Sequence, residues 1–394
     1  MRALNVIDED SLRACLGSFP EASRTLPRDA YLAEEVLRWE MANFYAASWV
    51  CVGRSAELAD PGDQRAGRIG DEGILLARGQ DGRLRGFFNT CRHRGHELLS
   101  CDAPIVNNNV VRCPYHRWMY ALDGSFTGGP GMGGTPGFDR DDPAHGLLPA
   151  RVDEWGGWAF VNVSSEAADL AEHIGDFDDL VSDYELERLV FGAGHSYEVK
   201  ANWKIIIENY HECYHCSEIH PELCRVSSPS SGDNYEPTGT VIGGSMELLP
   251  GAATMSLDGS SLGVPFRKLN GSQLRDVYYA ELFPNLLLSI HPDYVMTHRL
   301  EPLGPGATRV ECQWLFPPEA YERADFDPSY ASEFWDVTNK QDWAACESVQ
   351  RGVAGAGYRQ APFSRDEWVV HLSMAMVARG YLEGEVRPLR SSRA

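Results

Sequence analysis

The sequence predicts an α+β protein of two domains, a small antiparallel-β domain followed by a larger antiparallel sheet that carries helices. Three observations carry that expectation. Short apolar runs broken by Gly and Asp pairs fill the stretch between Trp49 and Val163, a strand-like alternation resumes beyond residue 165, and two long helix-periodic runs are set inside that second region. With 394 residues, 43% of them hydrophobic, the chain can bury a substantial core.

Taken in order, Leu32, Val36, Met41 and Phe44 recur at roughly helical spacing between Pro27 and Phe44, with Asp29 placed to cap. Residues 1–46 are therefore expected to form a helical segment that packs on the second domain. Residues 47–165 should form the β domain, with strands at Gly73–Ala77, Leu84–Asn89, Val110–Arg112 and Trp158–Val163 and tight turns at Asp81-Gly82 and Asp123-Gly124. Gly129-x-Gly131-x-x-Gly134 formally satisfies a dinucleotide fingerprint, but Pro130, Pro136 and the polar run after them leave no helix N-terminus for a pyrophosphate. Gly128–Gly137 thus reads as an irregular loop. In residues 166–394 strands are expected at His195–Lys200, Val277–Leu282, Leu286–His291, Tyr294–Leu300 and Thr308–Phe316, and helices at Trp203–Ile219 and Ala331–Val353. The polar tail beyond Gly384 should fray.

The 35 basic and 57 acidic residues give a net charge of −22, which argues against a nucleic-acid partner. The longest apolar stretches, such as Leu286–Ile290, are far too short to span a bilayer. Met1–Phe19 carries acidic residues early and lacks the basic, apolar, small-residue succession of a secretory signal, so a cytoplasmic location is expected. There, ten cysteines are more naturally metal ligands or packed thiols than a disulfide framework.

Spacing singles out the metal candidates. Cys91-Arg92-His93 and Cys113-Pro114-Tyr115-His116 each offer one thiolate and one imidazole from a short turn. Two such loops can give one iron two sulfurs and the other two nitrogens, the arrangement of a Rieske [2Fe–2S] cluster, whose imidazole ligands set its potential in the range of about −150 to +300 mV. A structural zinc site is the alternative, although common zinc layouts keep Cys with Cys and His with His. Trp118 and Tyr120 should pack around the cluster loops, and His96 should be an ordinary loop histidine.

The second cluster is Asn209-Tyr210-His211-Glu212-Cys213-Tyr214-His215-Cys216-Ser217-Glu218-Ile219-His220-Pro221. Glu212 and His215 are spaced to share a face of the expected helix, and Pro221 should end that helix at His220, letting its ring turn back toward His215. Two histidines and one carboxylate leave open positions for dioxygen and substrate on a mononuclear Fe(II). Asp342, ahead of apolar residues in an expected buried helix, is the candidate carboxylate. Cys213-x-x-Cys216 has redox-dithiol spacing but lies within a run of His and Glu, and its thiols are expected to pack the iron helix.

In this order, Cys91-x-His93, Cys113-x-x-His116 and Glu212-x-x-His215-x-x-x-x-His220 resemble the Rieske non-haem iron oxygenase α subunits over nearly the whole chain. The resemblance implies an N-terminal Rieske domain and a C-terminal helix-grip catalytic domain. It also implies a homotrimer in which the cluster of one subunit faces the iron of its neighbour, with Glu212 bridging His116 of a neighbouring chain to His215 or His220. Ring-dihydroxylating members usually carry Asp at the bridge, one residue further from the preceding Asn; here the acid is Glu212 and the spacing from Asn209 is shorter. Electrons from NAD(P)H would arrive through a separate flavin/iron–sulfur reductase, since the chain has no convincing flavin or nicotinamide motif.

Glu208–Cys216 and His291–Arg299 resemble the branch acting on quaternary ammonium compounds such as glycine betaine, carnitine, choline and stachydrine, with glycine betaine the nearest likeness. That implies hydroxylation of an N-methyl group by O2, giving a hemiaminal that collapses to formaldehyde and a tertiary amine. An aromatic cage would hold the cation, each contact contributing about 0.5–2 kcal/mol; Trp203, Tyr210, Tyr279 and Tyr294 are the candidate walls. Two alternatives stay open: an aromatic ring-hydroxylating dioxygenase, and a Rieske electron carrier or zinc-stabilised binding protein without oxygen chemistry.

Overall fold

Gly82 at φ 76° and Gly124 at φ 86° close the two turns marked by the Asp-Gly pairs, because glycine alone enters the left-handed region without a Cβ clash. The first joins Glu72–Arg78 to Leu84–Phe88 and the second joins Met119–Tyr120 to Phe126–Gly128, both antiparallel. The structure is a computed structural model and describes residues 6–164, 167–235 and 239–387. The expected border at 165/166 lies outside the described residues, as does the tail from 388 onward. The chain divides into two compact units, Glu40–Leu170, and Met1–Trp39 with Ala171–Ala394.

The unit Glu40–Leu170 holds a seven-stranded sheet in the spatial order Val50–Arg54, Trp158–Asn162, Pro149–Trp155, Leu84–Phe88, Glu72–Arg78, Asp63–Ile69 and Val106–Asn107. A three-stranded sheet of Val111–Arg112, Met119–Tyr120 and Phe126–Gly128 accompanies it. Cys91 and Cys113 belong to a core cluster with Leu75, Phe87, Trp118, Tyr120 and Leu147. Gly128–Gly137 forms turns with no helix, in keeping with its reading as a loop.

In the other unit the expected amphipathic helix is split into Arg28–Leu32 and Glu34–Glu40. Ala33 is extended at φ −82°, ψ 123°, and Pro27, not Asp29, occupies the cap position. The Tyr31 carbonyl, which a continuous helix would turn to its own ladder, instead accepts from Asn202 Nδ2 at 3.1 Å. The seven-stranded sheet of this unit runs Val190–Val199, Ala307–Phe316, Val295–Gly304, Leu286–Ile290, Asp276–Leu282, Val241–Glu247 and Asp233–Asn234. Its middle strand, Leu286–Ile290, is buried at every position. The helix Trp203–Tyr210 packs against the helices Ser329–Ala354 and Trp368–Glu383 and touches strand Val295–Gly304. Trp368–Glu383 is apolar on most sides, with Val369, Val370, Met374, Met376, Val377 and Tyr381 all buried, so it shows no helical periodicity in the sequence. No helix of the described residues is long and apolar enough to cross a membrane.

Candidate metal centres

In the first constellation the thiols are buried and the rings lie toward the surface. Cys91 is 2% exposed and Cys113 1%, while His93 is exposed and His116 partly so. Tyr120 reaches under the loop, its hydroxyl 3.2 Å from Cys91 Sγ and accepting from Arg92 N at 3.0 Å. Trp118 stacks on His93 with centroids 4.8 Å apart, and His93 and His116 meet edge to face at 4.8 Å. Both aromatics thus pack as the sequence suggested, and His96 is an exposed loop residue whose Nδ1–H donates to Glu97 O at 2.5 Å. Burial pushes the Cys91 thiol up, and the neighbouring Cys113 adds to that. Two buried sulfurs and two surface imidazoles, rather than four donors gathered about one point, suit a two-iron cluster better than a single tetrahedral zinc.

The second constellation departs from the expected continuous helix. Asn202 caps Trp203–Tyr210 by accepting from Lys204 N at 3.1 Å, and the helix stops at His211. The Glu212 carboxylate then takes the backbone N–H groups of Tyr214 and His215, the latter at 3.1 Å. A side-chain acceptor that captures these donors competes with the helical ladder, so Glu212 and His215 sit in a turn and not on a helix face. A short helix, Cys216–Ile219, follows and ends at His220, whose φ −119°, ψ 67° reflects the restriction from Pro221. Cys213 and Cys216 are joined in a disulfide, which corrects the expectation of two packed thiols: the turn between them brings their Cα atoms to 4.9 Å, within bonding reach.

Three acceptor atoms converge here. His215 Nε2 and His220 Nε2 are 3.1 Å apart, and Asp342 Oδ1, from the helix Ser329–Ala354, lies 2.9 Å from His220 Nε2 and 3.4 Å from His215 Nε2. The far side of each ring is committed. His215 Nδ1–H donates to Glu212 Oε1 at 2.5 Å, and His220 Nδ1–H donates to Gln341 Oε1 at 2.7 Å. With both Nδ1 atoms protonated, two Nε2 lone pairs and a carboxylate face one another, an arrangement that calls for a cation between them. The electrostatics show the same demand for positive charge, which in the metal-free site a proton on His215 satisfies. Burial alone would lower His215, but hydrogen bonds to Asp342 and Glu212 and both their charges raise it to about 9. Burial would raise Asp342, yet its hydrogen bonds to the two rings hold it below the usual carboxylate range. Cys216 Sγ also lies within 4.8 Å of the ring nitrogens, but its disulfide removes the thiolate charge, which leaves Asp342 as the anionic donor.

These atoms open onto a cavity of about 680 Å³. Tyr210 and Tyr279 line it, together with Trp335, Trp343 and His298, which sequence reading missed because each lies in an otherwise ordinary strand or helix. Tyr210 is fixed by donating to Leu288 O at 2.7 Å, and His298 Nε2–H donates to Asn339 Oδ1 at 3.0 Å. Trp203 and Tyr294 do not line the cavity: Trp203 is fully buried at 6.2 Å from Phe283, and Tyr294 donates to Met255 O at 2.7 Å behind Trp335. Carboxylates of Glu212, Asp233, Asp342 and Asp366 border the space, against one guanidinium, Arg365, among the described residues.

The Rieske [2Fe-2S] domain family matches residues 48–139, and the ring hydroxylating alpha subunit (catalytic domain) family matches residues 186–383. The chain is 30% identical over 375 residues to the glycine betaine monooxygenase oxygenase subunit of Chromohalobacter salexigens, covering 88% of this chain and 83% of that one. It is 32% identical over 344 residues to the carnitine monooxygenase oxygenase subunit of Escherichia coli (strain K12), covering 86% and 87%. The solved quaternary ammonium Rieske monooxygenase CntA in complex with L-carnitine superposes with a TM-score of 0.76 at 25% identity, over 96% of this chain and all (100%) of that one. Naphthalene 1,2-dioxygenase from Rhodococcus sp. shares the fold at 19% identity, with a TM-score of 0.74 over 95% of this chain and 97% of that one.

Proposed function

The chain belongs to the Rieske oxygenase α subunits, and from that membership we propose that it is the oxygenase component of a two-component monooxygenase that hydroxylates an N-methyl group of a glycine betaine-like quaternary ammonium compound, with release of formaldehyde. The observation that carries the substrate class is the cavity. Three tyrosines, Tyr210, Tyr214 and Tyr279, and two tryptophans line it, and four carboxylates outnumber its single guanidinium among the described residues, which suits a cation that cannot donate a hydrogen bond. Relatives named for glycine betaine and for carnitine support the same class.

In this reading Cys91, His93, Cys113 and His116 hold the [2Fe–2S] cluster, and His215, His220 and Asp342 hold the mononuclear iron. The cluster supplies single electrons and the iron the activation of dioxygen, with NAD(P)H serving a separate reductase. The chain's own residues do the positioning. Glu212 and Gln341 hold the Nδ1 protons of His215 and His220 and so present both Nε2 lone pairs inward. Tyr210, Tyr279, Trp335 and Trp343 hold the substrate cation and exclude water. Glu212, anchored on His215, would bridge to His116 of a neighbouring copy in a homotrimer and so provide the electron path between the two metal groups. The test is formaldehyde release by anaerobically purified protein with a surrogate reductase, NADH and O2, across glycine betaine, carnitine, choline, stachydrine and an aromatic acid. Formaldehyde stoichiometric with one quaternary amine is the expected result; oxygen uptake coupled only to the aromatic acid would replace this reading with ring hydroxylation.

A further inference from the structure

A second feature leads away from the cavity. Trp343 lines the pocket directly after Asp342, and its ring centroid is 5.8 Å from that of Tyr197 on the strand Val190–Val199. The Tyr197 hydroxyl donates to Asp336 Oδ1 at 2.7 Å and lies 3.1 Å from His195 Nδ1. Lys340 Nζ holds the other Asp336 oxygen at 2.5 Å and keeps the carboxyl below its ordinary range against the opposing effect of burial. The side chains of His195 and Asp336 are 38% and 25% exposed, so the far end of this row meets solvent.

The order is indole at the pocket, phenol next, carboxylate at the surface. Tryptophan and tyrosine are among the side chains that give up a single electron readily. Tyrosine does so only when its hydroxyl proton has somewhere to go, and an ionised carboxylate within hydrogen-bond reach provides that. The wall tyrosine Tyr210 and the buried Tyr294 lack this provision, because both donate to backbone carbonyls. A cavity that activates dioxygen over an occupant it cannot oxidise makes a strong oxidant whose nearest targets are its own aromatic walls.

We propose that Trp343 and Tyr197 carry oxidising equivalents out of the cavity when dioxygen is activated without productive substrate. One electron passes from Tyr197 through Trp343 to the dioxygen-derived oxidant, which is reduced by one electron. The Tyr197 O–H bond breaks and its proton moves to Asp336 Oδ1, leaving a neutral phenoxyl radical near solvent. A small thiolate from solution then returns one electron and Asp336 returns the proton, restoring Tyr197 and leaving a thiyl radical in solution.

The inference rests on the iron site proposed above but not on the substrate, so hydrogen peroxide, which needs neither reductase nor amine, serves as the probe. Enzyme of confirmed iron content is mixed with peroxide and freeze-quenched for electron paramagnetic resonance. The wild type should show an organic radical whose hyperfine pattern narrows with ring-deuterated tyrosine. Tyr197→Phe should lose it, and Asp336→Asn, which keeps the ring and removes the proton acceptor, should diminish it. Peptide mass spectrometry should find several-fold more oxygen adducts on Tyr210, Tyr279 and Trp335 in Tyr197→Phe, while its coupled turnover with substrate stays unchanged. No radical in the wild type, or a radical undiminished in both variants, overturns the proposal.

Discussion

His220 is 1% exposed, and its Nδ1–H has one acceptor, Gln341 Oε1 at 2.7 Å. Replacing Gln341 with leucine keeps the bulk and removes that acceptor. In the metal-free protein the ring escapes by moving its proton to Nε2, where Asp342 Oδ1 accepts at 2.9 Å. With metal bound, Nε2 must stay unprotonated and the proton is stranded on Nδ1, so the penalty falls on the bound state alone. A buried donor left unsatisfied costs about 1–3 kcal/mol, and at about 1.4 kcal/mol per tenfold this weakens metal affinity by about 5- to 150-fold. That range overlaps the roughly 10–100-fold losses typical when a partner of a metal-bound histidine is removed. Gln341 Nε2 also donates to Glu222 Oε2 at 3.1 Å, so Glu222→Gln, which leaves His220 untouched, is the control and should bind metal nearly as the wild type does. The assay is Fe(II) or Co(II) affinity by competition with a calibrated chelator, with the melting temperature of the metal-free protein showing that both variants fold. Affinity of Gln341→Leu indistinguishable from that of the wild type would refute the reasoning.

Further outcomes follow from the same geometry. Glu212→Gln keeps an amide oxygen for His215 Nδ1–H but gives up the acceptor of the Tyr214 and His215 N–H groups, which solvent can replace in this partly exposed turn, so both metals should be retained while most steady-state turnover is lost; unchanged turnover with full metal content would remove Glu212 from the electron path. Tyr120→Phe deletes the hydroxyl 3.2 Å from Cys91 Sγ, and since hydrogen bonds to cluster sulfur favour the more negative reduced state, a spectroelectrochemical titration should find a lower cluster potential than in the wild type. Burial pushes His173 from 6.5 down to about 4. Between those values the unfolded chain binds a proton that the folded chain refuses, so this site's stability is full above about pH 6.5 and falls by about 3 kcal/mol as the pH drops toward 4. Melting curves across that window should be steeper in pH for the wild type than for His173→Leu, and identical slopes would count against the assignment.

Much of the fold was legible because its signals are local. The strands Leu286–Ile290 and Ala307–Phe316 read as apolar or alternating runs, and the Asp-Gly pairs marked turns that only positive-φ glycines can make. The misses share a cause in tertiary partners that periodicity does not register. Ala33 breaks a promising helix because Asn202, far along the chain, claims the Tyr31 carbonyl. The helix over Trp203–Ile219 stops early because the Glu212 carboxylate outbids the backbone for two N–H groups. Trp368–Glu383 is buried on most faces and so carries no amphipathic stripe.

For the candidate sites the division is similar. By itself the sequence determined which side chains arrive in pairs: Cys91 with His93, Cys113 with His116, and His215 with His220 turned back by Pro221, since these spacings are fixed by a few covalent links and one restricted dihedral. Only the tertiary structure decided that Asp342 meets His220 across 122 positions of sequence, that Gln341 holds the ring from behind, and that Trp335 and Trp343 wall the cavity while Trp203 and Tyr294 sink into the core. Which face of the helix Ser329–Ala354 turns inward is set by how it packs on the helix Trp203–Tyr210 and the strand Val190–Val199, and that packing is a property of summed burial over distant elements, which no local window of residues contains.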